Sequence, residues 1–265
     1  MSQNIILIET STALCSAALV ENGQITAYRE SSAPKAHASL TAVFIQEMLD
    51  ERGLALSQCD AVCVSKGPGS YTGLRVGVST AKGLCFGSKK PLLAVGTLDT
   101  LVAQAQMADQ AGHDVIPDMI GDPKFIIPMI DARRMEVYSA VFAFNPELPS
   151  CHPEATVIDK VAEANAKDSA RYRQITDTAP AIIDENSFAE YLDQGSCLFI
   201  GDGAGKCADV IQHPNAHFCQ CYPTAAAMLA PALEAYKEKR FEDVAYFEPF
   251  YLKEFVATVS KKKLW

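Results

Sequence analysis

The chain carries one pattern twice, and that duplication limits its fold more than any single motif. Each half opens with an apolar run that ends in an acid: Ile5–Ile8 before Glu9, and Phe125–Ile130 before Asp131. Each half later has an apolar run feeding a glycine-rich turn and a helix. In the first, Ala61–Ser65 leads into Gly67-Pro68-Gly69; in the second, Cys197–Ile200 leads into Gly201-Asp202-Gly203-Ala204-Gly205. Short apolar runs bounded by glycine and proline read as buried strands.

The intervening residues fill in both halves. In the first, Cys15–Glu21 and Gln24–Glu30 are strands joined by Asn22-Gly23, a strong hairpin signal. Leu40, Val43, Phe44 and Met48 have helical spacing, and Gly53 can end that helix. Ser70 or Thr72 can cap a helix from about Gly73 to Phe86, with Gly87 placed to end it. A strand at Leu92–Val95 and a helix at Leu98–Met107 give the order βββαβαβα. Gly112–Pro123, rich in Gly, Pro and Asp, reads as the joint. Beyond it, strands are expected at Glu136–Phe144, Ala155–Ile158 and Phe218–Tyr222, and helices at Ser187–Leu192, Ala204–Gln212 and Thr224–Arg240. The polar stretch Lys160–Ala179 receives no assignment. The fold class is α/β, with a unit of three antiparallel strands followed by βαβ that resembles a doubled ribonuclease H-like lobe. Two such lobes form the architecture of actin, Hsp70 and the sugar kinases. The expected division is 1–110 for the first lobe, 111–222 for the second, and 223–265 for a C-terminal helix and tail that packs back towards the first.

Composition narrows the function. The net charge is −9, and the basic run Lys261-Lys262-Lys263 lies at the far end of the chain, where it reads as a solvated tail. Such a chain is a poor candidate for holding a nucleic-acid backbone unaided, which needs clustered Lys and Arg. Nine irregularly spaced cysteines do not read as a disulfide framework. Glu9 interrupts the first apolar stretch, and no run approaches membrane-spanning length. A soluble, cytoplasmic protein that does not engage membranes is expected.

Four kinds of chemistry can be weighed from the residues. A two-lobed phosphotransferase needs an acid on its first strand and glycine turns around the phosphates. Glu9, Thr10, Gly67, Gly69, Ser70, Gly201 and Gly203 stand in suitable places, the alternative being tight turns that the fold itself requires. Glu9 is one methylene longer than the aspartate usual in such a turn, and Thr10-Ser11-Thr12 has no glycine. Any ATP or ADP binding is therefore expected to be vestigial. His213, His217, Cys219 and Cys221 crowd into nine residues but lack zinc-site spacings, so buried thiols are the simpler reading and no metal is expected. His152, beside Cys151, reads as a loop residue. Ser70 is not in a G-x-S-x-G elbow, so no catalytic nucleophile is assigned. Finally, Gly73, Gly77 and Ala81 lie four residues apart along a helix whose only charges are Arg75 and Lys82. Helical glycine costs about 1 kcal/mol against alanine, so the stripe marks a close approach. Its partner is either this chain's own sheet or another protein, with Leu40 and Phe44 of the neighbouring helix joining in the second case.

Gly67-Pro-Gly-Ser-Tyr-Thr-Gly-Leu-Arg-Val-Gly-Val-Ser-Thr-Ala-Lys-Gly-Leu84 resembles the signature of the bacterial TsaB (YeaZ) family, a glycoprotease-like group. Ile8–Thr12, Asp131–Tyr138, Ile200–Gly203 and Pro249–Lys253 are similar to its other landmarks, in order. The resemblance implies a non-catalytic subunit in the formation of threonylcarbamoyladenosine (t6A) beside the tRNA anticodon. It further implies binding to a TsaD-like catalytic subunit and a TsaE-like ATPase, homodimerisation when alone, and contact with tRNA only through the complex. The catalytic relative carries a metal-binding His-x-x-x-His pair; the corresponding stretch here is His37-Ala-Ser-Leu-Thr41, without the second histidine. The alternatives are an ATP-dependent sugar-like kinase and a glycopeptidase-like protease.

Overall fold

A computed structural model describes residues 3–111, 122–145 and 171–252. The expected strand Ala155–Ile158, the Cys151–His152 loop, the Lys261–Lys263 tail and all but the last two residues of the Gly112–Pro123 joint lie outside the described residues.

The first lobe contains β1 (Asn4–Glu9), β2 (Cys15–Glu21), β3 (Gln24–Ser31), α1 (Ala36–Arg52), β4 (Ala61–Gly67), α2 (Tyr71–Ser88), β5 (Leu92–Gly96) and α3 (Thr97–Ala111). Its sheet runs β3-β2-β1-β4-β5, with β1, β2 and β3 antiparallel and β1, β4 and β5 parallel. Asn22 and Gly23 both have positive φ, 54° and 79°, as a tight hairpin turn matched to strand twist requires. β1 is buried on both faces, and its side chains alternate between them. Ile6 and Ile8 join Phe44, Ile45, Val78 and Ala81 beneath α1 and α2. Ile5 and Leu7 point the other way, into a second cluster.

The second lobe contains β6 (Phe125–Asp131), β7 (Glu136–Ser139), β8 (Phe142–Phe144), β9 (Tyr172–Gln174), β10 (Ala179–Ile182), α4 (Ala189–Leu192), β11 (Cys197–Ile200), α5 (Ala204–Cys207) and β12 (Ala216–Cys219). Its main sheet runs β10-β7-β6-β11-β12, with β8 added beside β6 and β9 beside β8. With β10 as its third strand, this is the strand order of the first lobe. The duplication is thus one of topology as well as of pattern, and the molecule is built of two ribonuclease H-like lobes.

Several boundaries differ from the sequence reading. The strand that pairs with β7 is Ala179–Ile182, which overlaps the end of the unassigned stretch. The expected strand Glu136–Phe144 breaks at Ala140–Val141, where the Val141 amide donates to Thr176 Oγ1 at 2.8 Å. Gly87 lies inside α2; the helix closes at Lys89, which takes the left-handed conformation (φ 57°). The helix expected from Ala204 is a single turn, and the strand expected at Phe218–Tyr222 ends at Cys219.

Each lobe's last helix covers the other lobe's sheet. α3 places Leu98, Leu101, Val102 and Ala105 against Ile126, Ile130, Leu198 and Ile200. After a 3₁₀ turn at Ala226–Met228, α6 (Leu229–Lys237) brings Ala232 and Ala235 onto Ile5, Leu7, Val20 and Leu93. Gln104 ties the two crossings, its amide donating to Tyr222 O and its oxygen accepting from Thr224 N. Residues 241–252 then return along the first lobe, where Glu242 N donates to Leu92 O and Phe250 N to Lys66 O.

Candidate functional site: the first-strand turn, the glycine helix and the second hairpin

The end of β1 and the start of α2 are pressed together. Ser70 caps α2, its Oγ accepting from Gly73 N at 3.3 Å, so its role here is conformational. The Ser70 amide donates to Ser11 O at 2.6 Å, and Thr10 Oγ1 donates to Gly73 O at 2.9 Å. A Cβ at Gly69 would lie well under 3.0 Å from Ser11 O, one at Gly73 equally close to Thr10 O, and one at Gly77 equally close to Thr10 Oγ1. The chain's own β1 turn therefore packs directly on these glycines, on the side where any side chain would project.

Glu9 lies beneath this junction with no exposed surface. Burial pushes its carboxyl up to about 7, opposed by hydrogen bonds that include the Ser11 amide donating to Oε1 at 2.7 Å. Its Oε2 and Thr12 Oγ1 have no partner among the described residues. A carboxyl so placed favours the neutral form.

This geometry corrects one expectation about docking. Gly73, Gly77 and Ala81 face inward, Phe44 is buried, and Leu40 packs against the same core. The stripe exists because α2 crosses the β1 turn at a distance no side chain permits. The solvent face of α2 is instead formed by Thr72, Arg75, Ser79, Gly83 and Phe86, and Phe86 is 83% exposed. Ala38, Tyr71, Thr72, Arg75, Val76, Ser79 and Thr80 line a shallow groove of about 540 Å³ between α1 and α2. At its rim the Arg75 guanidinium lies over the Tyr71 ring and donates to its hydroxyl at 2.9 Å, while Tyr71 packs on Tyr251 with ring centroids 5.0 Å apart. Lys82, the other charge of α2, faces the returning C-terminal segment and donates to Ala245 O and Phe247 O.

The second lobe repeats the close approach with different chemistry. Gly201 has φ 131°, and a Cβ there would collide with Met129 O; the Gly203 amide donates to that same oxygen at 2.9 Å. Asp202 Oδ1 accepts from the Asp131 amide at 2.9 Å, and burial pushes its carboxyl up to about 6. Lys206 reaches into the β6–β7 hairpin, where its Nζ donates to Asp131 Oδ1, Arg134 O and Glu136 O. The residues at the hairpin tip, Arg133 and Arg134, take φ of 73° and 51°. Left-handed backbone at a residue other than glycine costs on the order of 1–3 kcal/mol and persists only where neighbouring bonds over-determine it.

The other candidate clusters resolve into ordinary structure. His37 Nε2 lies 2.9 Å from Thr12 O, and Thr41 is buried with its hydroxyl donating to His37 O. His213 Nδ1 accepts from Asn215 N, Cys219 is buried with its thiol against that of Cys221, and His217 lies on the edge strand β12. Among the described residues no three His, Cys, Asp or Glu side chains are grouped to hold a metal, and no helix is long and apolar enough to cross a membrane. Sequence reasoning missed Lys206 as the hairpin clamp.

Fold and junctions together define a two-lobed protein of duplicated ribonuclease H-like units whose glycine turns pack on the chain itself. Residues 29–261 match the family model described as TsaD, tRNA N6-adenosine threonylcarbamoyltransferase. The chain is 27% identical over 264 residues to the tRNA threonylcarbamoyladenosine biosynthesis protein TsaB of Haemophilus influenzae, covering 99% of this chain and 98% of that one. It is 33% identical to the Escherichia coli TsaB over 138 residues, 52% of this chain and 54% of that protein. The crystallised YeaZ from Pseudomonas aeruginosa superposes with a TM-score of 0.71 at 25% identity, covering 94% of this chain and all of that one. The chain belongs to the TsaD family and, within it, to the TsaB (YeaZ) group.

Proposed function

We propose that this chain is a non-catalytic subunit in t6A formation, acting by holding a TsaD-like catalytic subunit in its working arrangement together with a TsaE-like ATPase in the cytoplasm. The observation that supports the reading is the close junction, in which Thr10 and Ser11 pack directly on Gly69 and Gly73, so these glycines serve the chain's own packing. The near-full-length similarity to a protein named for threonylcarbamoyladenosine biosynthesis supplies the pathway.

Docking is assigned to the solvent face of α1 and α2. Val43 and Phe86 are large apolar residues left 44% and 83% exposed, and the groove between the helices is lined mainly by small side chains. The same face serves a second copy of the chain when the partner is absent. Reconstitution of tRNA modification from the partner proteins, with and without this chain, tests the reading. A much slower reaction without it is expected, and an unchanged rate overturns the proposal. Val76→Asp, in the groove, should weaken co-purification with the catalytic subunit while leaving the melting temperature near that of the wild type. Turnover of Mg-ATP by the purified chain alone would favour the kinase alternative.

A further inference from the structure

The β6–β7 hairpin presents two arginines in a conformation that arginine does not favour. Arg133 and Arg134 both sit at positive φ, at consecutive positions of the four-residue connection 132–135, where Asn and Gly are the comfortable choices. The turn is nevertheless held firmly. Asp131 Oδ1 accepts from the Arg133 amide, Glu136 N donates to Arg133 O, Ala132 N donates to Glu136 O, and Lys206 binds the carbonyls of Arg134 and Glu136. None of these bonds uses the arginine side chains. Both side chains are exposed, and neither makes a hydrogen bond or an ion pair among the described residues. Asn or Gly would take these two φ values more easily, so the backbone conformation itself does not explain the arginines. Strain held in place by a surrounding clamp is the arrangement found at functional sites.

We propose that Arg133 and Arg134 form a rigid phosphate-recognising tip that contacts the sugar–phosphate backbone of the RNA substrate. A guanidinium matches a phosphate with two parallel hydrogen bonds, and a pre-fixed hairpin loses little freedom on contact. The charge of the chain favours a confined contact: at net −9 its surface repels a polyanion, so approach requires a projecting point of opposite sign. Lys206 neutralises the neighbouring Asp131, which leaves the two guanidinium groups to act outward. This inference rests on the proposed role in tRNA modification, and it replaces the expectation that the chain meets tRNA only through its partners.

The test uses the full chain reconstituted with its catalytic and ATPase partners and an unmodified tRNA. The variant carries Arg133→Asn with Arg134→Gly. It should melt at a higher temperature than the wild type, because the turn residues now suit their φ. Its complex should bind tRNA roughly tenfold more weakly, and the slope of log K against log salt should fall by about 1.5, as two lost phosphate contacts imply. Arg133→Lys with Arg134→Lys should retain most of the salt slope. Unchanged affinity and slope in the Asn-Gly variant overturn the proposal, even where the wild-type chain supports modification. Weaker tRNA binding that only tracks loss of a partner from the complex also overturns it, because the tip then contacts protein. A wild-type chain that does not support modification at all defeats the parent reading instead.

Discussion

The contact between α2 and the β1 turn can be tested with one methyl group. An alanine Cβ at Gly73 would lie well under 3.0 Å from the Thr10 carbonyl oxygen, a backbone atom that cannot rotate aside. The same methyl at Gly83, on the exposed face of the same helix, meets nothing within 4 Å. Both substitutions gain about 1 kcal/mol of helix propensity. At Gly83 that gain stands alone. At Gly73 it is opposed by overpacking of about 3 kcal/mol, the upper part of the usual range, because the obstacle is buried main chain. The net expectation is about 2 kcal/mol lost for Gly73→Ala and about 1 kcal/mol gained for Gly83→Ala. For a chain of this size each kcal/mol moves the melting temperature by about 2–4 °C. Gly77→Ala provides the internal control, since its obstacle is the Thr10 hydroxyl, which can be removed. Thr10→Ala should restore much of the stability lost in Gly77→Ala and little of that lost in Gly73→Ala. Urea denaturation midpoints of the set decide the matter. Equal midpoints for Gly73→Ala and Gly83→Ala would refute the packing account of the glycine stripe.

Other consequences are equally direct. Glu9 has a folded pKa of about 7 against an ordinary 4.5, so its contribution is fully present below pH 4.5 and is lost as pH rises to about 7. The swing is on the order of 3 kcal/mol at most; in Glu9→Gln this part of the pH dependence should vanish from a series of urea midpoints. Lys206→Met removes three charge-assisted bonds from the hairpin and should cost about 2 kcal/mol, with faster hydrogen exchange at the Glu136 amide. Lys82→Met releases the two carbonyls that pin residues 245 and 247, and limited proteolysis should then cut that segment sooner than in the wild type.

Much of the architecture was legible in the residues because it follows from short-range rules. The alternation of Ile5, Ile6, Leu7 and Ile8 between two cores, the Asn22-Gly23 turn and the Gly53 helix end are all local. The third strand of the second lobe was not legible. Ala179–Ile182 contains a proline and lies at the sheet edge, where no alternation of burial marks it. Likewise the helix at Ala204 ends after a single turn although Val210 and Ile211 beyond it still pack into the second lobe's core.

The candidate site divides along the same line. The sequence alone determined that the molecule is duplicated and that α2 must approach something closely, because glycine spacing and strand pattern are properties of neighbours along the chain. Only the tertiary structure decided what α2 approaches. Thr10 and Ser11, more than sixty residues from Gly73 and Gly77, occupy the contact, so the glycines belong to the core and the opposite face of the helix is the exposed one. The Lys206 clamp and the two arginines it supports were decided in the same way. Lys206 lies some seventy residues from the hairpin, and the folded second lobe alone brings its ammonium to those carbonyls.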